Sequence, residues 1–487
     1  HQPIFQDMLR NAGLNKYLFE MANIRNQCTW VHMKDPDAAT EQCQDLIHMA
    51  VAKARLLEPL DYITMPVNKT ALVLGGGVTG MTAALNLADQ GFEVHLAERK
   101  ARLGGNALKL HTTWRGGYVG PRLQALIAQV INHPNITVYY RAVVEHVSGV
   151  VGNFRTTLSR NQVLDHGIVV IAIGGEPHRP LGQYLYGENP NVLLSLDLDQ
   201  EISEESDRVK QAQAAAFIQC VGSRLPERPY CSKVCCSHSV ENALKLKEMN
   251  PDMDVYVLFR DMRTYGEREI FYEMARDQGV VFIRYHAADP PKVVENNGRI
   301  QITVKDHILQ MPVEFSVDIL TLATAIIPHR NEPLAELYKI PLNVEGFFNE
   351  AHAKIKPVDA PTEGIYLAGL CHYPMPLQES VAEALANAAR ASTVLAKDSI
   401  ELESTISQVI DANCDGCAFC VDTCSFQALT LIEYMYQEQV KKTVEVNEVA
   451  CKGCGSCMAT CPKQGIMVAG FTLDQLSAQV DAALGVA

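Results

Sequence analysis

Apolar residues recur along this chain with two different periods. Over 37–60, DAATEQCQDLIHMAVAKARLLEPL, they keep helical spacing, and Pro59 and Pro66 close the segment, so residues 1–66 read as mostly helical. From Lys69 the pattern changes: KTALVLGGGVTGMTAALNLADQGFEVHLAERKARLGGNA reads as strand, glycine turn, helix and second strand. Shorter strands follow in ITVYYRAVVEHVSGV, FRTTLSR and HGIVVIAIGG. Around 205–330 a second block alternates: strand AAAFIQCVGS, helix SVENALKLKEMN, strand DVYVLFRD, a helix near 267–278, and strand VVFIRYHA. GIYLAGL and LQESVAEALANAARASTVLAK return to the style of the first block, and a polar join near 398–405 leads to a cysteine-rich tail. Strands alternating with helices predict α/β architecture with parallel sheets. The only repeat visible is the pair of cysteine runs in the tail.

Composition narrows the class. At 487 residues there is room for about three domains, and 47% apolar with 20% charged residues is ordinary for a soluble globular protein. A net charge of −14 argues against non-specific nucleic-acid binding, which needs a basic face. No stretch reaches the ~20 apolar residues of a membrane span. No signal peptide is visible, and the sequence begins at His1 without an initiator Met, so residues are expected to precede it. Eight of the 15 cysteines lie between Cys414 and Cys461 and four between Cys220 and Cys236, while Cys28, Cys43 and Cys371 stand alone. Such clustering points to metal ligation in a reducing, cytoplasmic compartment rather than to disulfides.

Gly75, Gly77 and Gly80 form G-x-G-x-x-G between a strand and a helix, and Glu98 ends the next strand. A tight turn, close backbone approach and a helix N-terminus suit a pyrophosphate, and the acid suits ribose hydroxyls. Glu98, Arg99, Leu103, Gly104 and Gly105 resemble the E-R-x-x-x-L-G-G pattern of two-dinucleotide-domain flavoproteins such as thioredoxin reductase. VVIAIGGEP is similar to their A-T-G-G strand, with Ile173 in place of Thr, and GIYLAGLCHYP to their late FAD strand, although Leu370 and Cys371 follow Gly369 where Asp is usual. The resemblance implies FAD held by Gly75, Gly77, Val78, Thr79, Gly80, Glu98, Arg99, Leu103, Gly104, Gly105, Asn106, Val143, Ala172, Ile173, Gly174, Gly369 and Leu370. It would also put a second glycine fingerprint, for NAD(P)H, in AAAFIQCVGSRLPERPYCSKVCC; only Gly222 is there, so NAD(P)H binding is not expected.

The tail carries Cys414-x-x-Cys417-x-x-Cys420-x-x-x-Cys424 and Cys451-x-x-Cys454-x-x-Cys457-x-x-x-Cys461-Pro462. This is the spacing of two-cluster bacterial ferredoxins, in which the fourth cysteine of each run ligates the other cluster. It assigns Cys414, Cys417, Cys420 and Cys461 to one [4Fe–4S] cluster and Cys451, Cys454, Cys457 and Cys424 to the other. Ser425 stands where Pro often follows. Cys220, Cys231, Cys235 and Cys236 fit no common spacing. Buried free thiols or a Cys₄ zinc site are alternatives to a third iron–sulfur cluster.

ANIRNQCTWVH, VVGNF, IQCVGSRLPERPYCSKVCC, NALKLKEMNPDMDVYVLFRDMRTYG and LAGLCHYP together resemble the A subunits of heterodisulfide reductases along essentially the whole chain. The resemblance implies a thioredoxin-reductase-like FAD fold, a two-cluster ferredoxin tail and a cluster on Cys220, Cys231, Cys235 and Cys236. It further implies an N-terminal cluster with Cys28 as its last ligand, an incomplete site here. The expected organisation starts with a remnant of that N-terminal domain (1–66) and a first FAD-binding segment (67–204). A degenerate NAD(P)-type domain with a cluster (205–330) and a second FAD-binding segment (331–400) follow. The ferredoxin domain with a C-terminal helix (401–487) comes last.

The extra ferredoxin insert of some members, after the VGNF region, is absent. Three departures stand out. The other three ligands of the Cys28 cluster would precede His1. Glu241 replaces a frequent Lys five residues past the paired cysteines, and Met375 replaces another after HYP. A cation near the flavin would tune its potential, so these changes bear on flavin-based electron bifurcation. Glu241 and His372 are candidate flavin neighbours, and no catalytic side chain beyond the flavin is expected. The implied role is an oxidoreductase subunit exchanging electrons among FAD, [4Fe–4S] clusters and partner redox subunits, or a non-bifurcating relay. The implied partners are the B and C subunits of heterodisulfide reductase, a hydrogenase or a formate dehydrogenase, around a homodimer. Cys43 reads as a core position on an amphipathic helix, and EISEESDR as solvated surface.

Overall fold

The computed structural model describes residues 2–113, 115–436 and 439–485, and the chain divides into two compact units: Val67–Asp398, and His1–Pro66 with Ser399–Ala487.

The chain opens with α1 (Gln2–Asn11) and α2 (Pro36–Ala54). Asp35 caps α2, accepting from the Ala38 N–H at 3.1 Å, and Pro36 starts it where no donor is needed. Periodicity alone carries this helix on toward Pro59. It ends at Ala54 because the Leu56 carbonyl turns aside to accept from Gln475 Nε2 at 2.9 Å, and Pro59 disfavours helix just before it.

In the larger unit, β1 (Thr70–Leu74), α3 (Val78–Asp89), β2 (Glu93–Glu98), α4 (Val119–Asn132), β3 (Ile136–Tyr140) and β4 (Ile168–Ile171) form the first α/β block. The second runs β5 (Val192–Leu194), α5 (Ser195–Ser203), β6 (Ala214–Val221), α6 (Cys235–Met249), β7 (Asp254–Phe259), α7 (Glu269–Asp277), β8 (Val281–Arg284) and β9 (Ile319–Thr324). β10 (Ile365–Leu367) and α8 (Leu377–Leu395) then rejoin the first block. The two parallel sheets have the orders β10-β4-β1-β2-β3 and β5-β9-β6-β7-β8. TALVL and IVVI are almost wholly apolar, and AAAFIQCV is interrupted by a single polar residue, Gln219, because most of their residues are buried on both faces.

Each block also holds a three-stranded antiparallel meander just before its last inner strand: 144–166 ahead of β4, and 292–317 ahead of β9. This structural repeat is invisible in the sequence, since the two meanders share a pleat but not residues. On the first sheet, Met81, Ala84, Leu87 and Ala88 of α3 meet Ala384, Ala388 and Ala391 of α8 in one core. The small side chains let the two helices lie close.

In the other unit, Thr64–Pro66 pairs antiparallel with Ser399–Glu401, and Ser407–Val409 with Ile466–Val468. Leu429–Tyr436 and Gln439–Val446 form a two-stranded sheet between the cysteine runs. The last helix, α9 (Leu473–Ala483), is held by a Thr472/Gln475 capping box and packs on α2. Among the described residues no helix is long and apolar enough to cross a membrane.

Candidate functional site

Both parallel sheets turn their carboxyl ends to loops that carry the chemistry, as open α/β sheets do. After β1, Gly75 takes φ +109°, and a Cβ on it would lie 2.3 Å from the Ala172 carbonyl. A Cβ on Gly80 would lie 1.9 Å from the Gly75 carbonyl, so helix and loop meet there in backbone contact. Gly77 is the N-cap of α3 with extended backbone, and among the described residues nothing lies within 4 Å of where its Cβ would be. That open space at a helix N-terminus is the cradle a pyrophosphate needs.

Gly104 pairs with this loop, its N–H donating to the Gly76 carbonyl at 2.8 Å, and Leu103 and Glu98 close over Gly76. Glu98 is buried and accepts from Gly76 N–H (2.7 Å) and Lys100 N–H (2.6 Å), which leaves lone pairs free for ribose hydroxyls. Asn106 donates to the Gly175 carbonyl at 2.9 Å, tying Gly104–Gly105 to the loop after Ala172, Ile173 and Gly174. Gly369 sits over Thr79 at the head of α3, with Leu370 beside Gly175. Val78, Thr79 and Gly80 form the first turn of α3, and Arg99 follows β2 on the surface. Val143 offers less: Ser159 occupies both its N–H and its carbonyl, and its side chain is exposed. These residues fit a dinucleotide.

At the matching place in the second sheet, the described residues leave no such cradle. A Cβ on Gly222 would lie 2.4 Å from the His178 ring, and the chain runs through a turn held by Arg228, whose guanidinium donates to the Gly222 carbonyl at 2.6 Å. The strand register breaks between Ile218 and Val221. Cys220, Arg224 and Lys233 all adopt left-handed backbone, with φ +61°, +57° and +61°. Such conformations persist where the surroundings over-determine them. Here they bring Cys220 and Cys231 to the head of α6, which begins at Cys235.

All four thiols share one neighbourhood. Cys235 is pushed well up, first by its hydrogen bond with Cys236, then by burial and by the charges of Cys236, Cys220 and Cys231. Cys236 falls to about 7, with the Cys235 bond as the main cause and Arg263 and Arg224 assisting. Arg224 reaches Cys220 Sγ at 3.9 Å and Asp261 at 2.6 Å, and Arg284 also binds Asp261, at 3.0 Å. An arginine collar and a helix N-terminus favour thiolates and the anionic cluster they would hold.

In the tail, Cys414, Cys417, Cys420 and Cys461 line a single cavity with Val409, Val444 and Ile466. Cys420 rises to about 11 through burial and the charges of Cys457, Cys461 and Cys414. Cys457 feels Cys451 and Cys454 after burial, and Cys424 shares the same small core. Peptide N–H groups already point at sulfur: Gly465 to Cys461 at 3.2 Å, Ala428 to Cys424 at 3.3 Å and Ser407 to Cys451 at 3.4 Å. Cys28 lies buried in a short π-turn, Arg25–Thr29, and donates to the Ala39 carbonyl at 2.9 Å. Its thiol is raised by burial and by Cys43, which the fold places beside it.

A family model described as a 4Fe-4S dicluster domain matches residues 413–465, and one described as an NAD(P)-binding Rossmann-like domain matches 73–142. One of two A-type iron-sulfur subunits of CoB--CoM heterodisulfide reductase in Methanopyrus kandleri is 34% identical over 89% of this chain and 80% of its own length. The chain belongs to the family of heterodisulfide reductase A subunits. A second member, from the H(2):CoB-CoM heterodisulfide,ferredoxin reductase of Methanothermobacter thermautotrophicus, is 31% identical over the same shares. Among solved structures, the thioredoxin reductase of T. acidophilum aligns with 67% of this chain and 98% of its own, at 14% identity and a TM-score of 0.48.

Membership makes the chain an oxidoreductase subunit with a ferredoxin-type dicluster domain. Within this family frame, several neighbours escaped the sequence reading. Glu383 of α8 accepts from Gly369 N–H at 2.9 Å, which puts an acid at the late-strand loop that lacks Asp. His372 is buried between Glu350 and Glu383. Asp199 of α5 pairs with His238, one turn below the paired cysteines. Cys371 is buried, raised to about 12 mainly by burial, and hydrogen-bonded to the Ile171 and Ala368 carbonyls, which marks a packing thiol. Met375 is buried too. Only side chains converging from distant segments reveal these contacts.

Proposed function

We propose that the chain is the FAD- and iron–sulfur-bearing electron-transfer subunit of a heterodisulfide-reductase-like complex. The observation that carries this reading is the substitution within one fold: a phosphate cradle at the first sheet, and four thiols at the equivalent place on the second. When bound, FAD supplies the exchange between electron pairs and the single electrons that [4Fe–4S] clusters carry.

Gly75, Gly77 and Gly80 would seat the pyrophosphate, Glu98 the ribose, and Asn106 and Gly369 would border the rest. Cys220, Cys231, Cys235 and Cys236 would hold one cluster. Cys414, Cys417, Cys420 and Cys461 would hold a second, and Cys451, Cys454, Cys457 and Cys424 a third. Arg224, Arg260 and Arg263 hold positive charge against the first of these thiol sets. Redox subunits of a cytoplasmic complex would exchange electrons with it: a hydrogenase, a formate dehydrogenase, or the B and C subunits of a heterodisulfide reductase. The assembly would contain the chain twice.

Glu241 in place of a cation favours the form of this reading in which the chain relays electrons without bifurcating them. The test is metal and flavin analysis of the native complex, with its subunits identified by mass spectrometry. About twelve Fe per FAD is expected from three clusters. About eight, with zinc at the remaining site, would refute the third cluster.

A further inference from the structure

The two cysteine runs of the tail are copies of one another. Cys414, Cys417, Cys420 and Cys424 each recur 37 residues on, as Cys451, Cys454, Cys457 and Cys461. The fold repeats with them. A five-residue helix carries the third cysteine of each run, Phe419–Thr423 and Ser456–Thr460. The strand leading into each run pairs antiparallel with the strand leaving the other. Val409 therefore lies opposite Ile466, and its counterpart Val446 opposite Leu429. The peptide donors at sulfur repeat as well, Ala428 N–H at Cys424 and Gly465 N–H at Cys461.

Within this symmetry Ser407 and Val444 are counterparts, and both are buried. Val444 lines the cavity of Cys414, Cys417, Cys420 and Cys461, where it offers no donor from its side chain. Ser407 Oγ stands 3.1 Å from Cys457 Sγ and 3.6 Å from Cys451 Sγ, and the Ser407 N–H donates to Cys451 Sγ at 3.4 Å. Cysteines that hold metal have lost their protons, so the Ser407 hydroxyl is then the donor of that contact. A second hydroxyl, Ser456 Oγ, lies 3.5 Å from Cys454 Sγ, and its counterpart is Phe419.

Other features do not offset this difference. Thr443, the counterpart of Ile406, turns its hydroxyl to Asp411 at 2.6 Å rather than to sulfur. Cys420 and Cys457 are both buried, and Cys417 and Cys454 both exposed, so burial does not separate the two sites. Charge runs with the hydroxyls: Asp415 follows Cys414 and binds Lys463 at 2.7 Å, whereas Lys452 follows Cys451.

Resting on the cluster reading above, we propose that Ser407 makes the two tail sites unequal electron carriers. It holds the set of Cys424, Cys451, Cys454 and Cys457 at the higher reduction potential. The set of Cys414, Cys417, Cys420 and Cys461 is left as the stronger reductant. Hydrogen bonds to sulfur stabilise the extra negative charge of a reduced cluster, which is why they set its potential. An electron that enters at the Cys414 set passes to the Cys451 set. The first loses one electron and the second gains it, with no bond broken and no proton moved. Ser407 acts through the ligand sulfurs and is a positioning residue.

The test is a redox titration of the full chain, loaded with FAD and iron and followed by electron paramagnetic resonance. Cys420→Ala and Cys457→Ala assign the two tail midpoints by which one each removes. In the wild type the Cys457 midpoint should lie above the Cys420 midpoint. Ser407→Val should lower the Cys457 midpoint by about tenfold in electron affinity, ~59 mV for one electron, and leave the other unchanged. Ser407→Thr, which keeps the hydroxyl, should retain the wild-type value. Val444→Ser should raise the Cys420 midpoint, and it stays decisive if Ser407→Val loses iron. A wild type with the order reversed, or an unmoved midpoint in iron-replete Ser407→Val or Val444→Ser, overturns the inference alone. A wild-type tail that takes up no iron overturns the reading beneath it.

Discussion

Glu383 accepts from His372 Nε2 at 2.8 Å while its same oxygen accepts from the Gly369 N–H at 2.9 Å, and Tyr373 donates to the other oxygen at 2.7 Å. One carboxylate on α8 thus organises the whole loop after β10. Replacing it with Ala orphans buried donors at a cost of about 1–3 kcal/mol each. Glu383→Ala should lower the thermal midpoint and the FAD retained after desalting, and Glu383→Gln, which keeps acceptors, should do so less. An unchanged midpoint in both would remove Glu383 from this role.

Gly77 separates folding from binding. Its φ of −76° is open to any residue and its Cβ position is empty, so Gly77→Ala should fold with a near-wild-type midpoint and yet lose FAD. Gly80→Ala, whose Cβ would strike the Gly75 carbonyl at 1.9 Å, should lose both. Absorbance of the purified variants distinguishes the two outcomes.

The shared cavity of Cys414, Cys417, Cys420 and Cys461 pairs the ends of two distant motifs. Cys461→Ser should therefore perturb the same electron paramagnetic resonance signal as Cys414→Ser. Cys424→Ser should match Cys451→Ser instead. Signals that sort by sequence run, 414–424 against 451–461, would contradict the crossed arrangement.

His166 is buried against Thr156 and the Ile168 carbonyl, and burial, its main cause, lowers it from 6.5 to about 4. Its folded form binds fewer protons than its unfolded form between those values. The stability it confers is therefore present above pH 6.5 and is lost as pH falls toward 4. The shift corresponds to about 3 kcal/mol. His166→Gln should flatten the pH dependence of the thermal midpoint in that window, whatever it does to the midpoint at neutral pH.

Glycine turns and cysteine runs were legible because each is a local requirement: one backbone conformation, or ligands three residues apart. The apolar runs of β1, β4 and β6 were legible for the same reason. Glu383 lies 14 residues from Gly369, and Asp199 39 from His238, so no local pattern predicts either meeting. Cys43 read as a core position on a helix, and only the fold sets it beside Cys28. The paired meanders were hidden because alternation specifies a pleat and many residues satisfy it.

The chain enters and leaves its larger unit through neighbouring residues: Pro66 is the register partner of Ser399, and the Val67 N–H donates to the Asp398 carbonyl at 3.0 Å. Topologically the flavoprotein portion is an insertion spliced into a small iron–sulfur carrier whose two halves are complementary. A gene joining Pro66 to Ser399 through a short turn should accordingly encode an independent carrier, brown and holding about eight Fe from two clusters. The ferredoxin tail expressed without residues 1–66 should be poorly soluble, because α9 would lose the α2 surface that covers it.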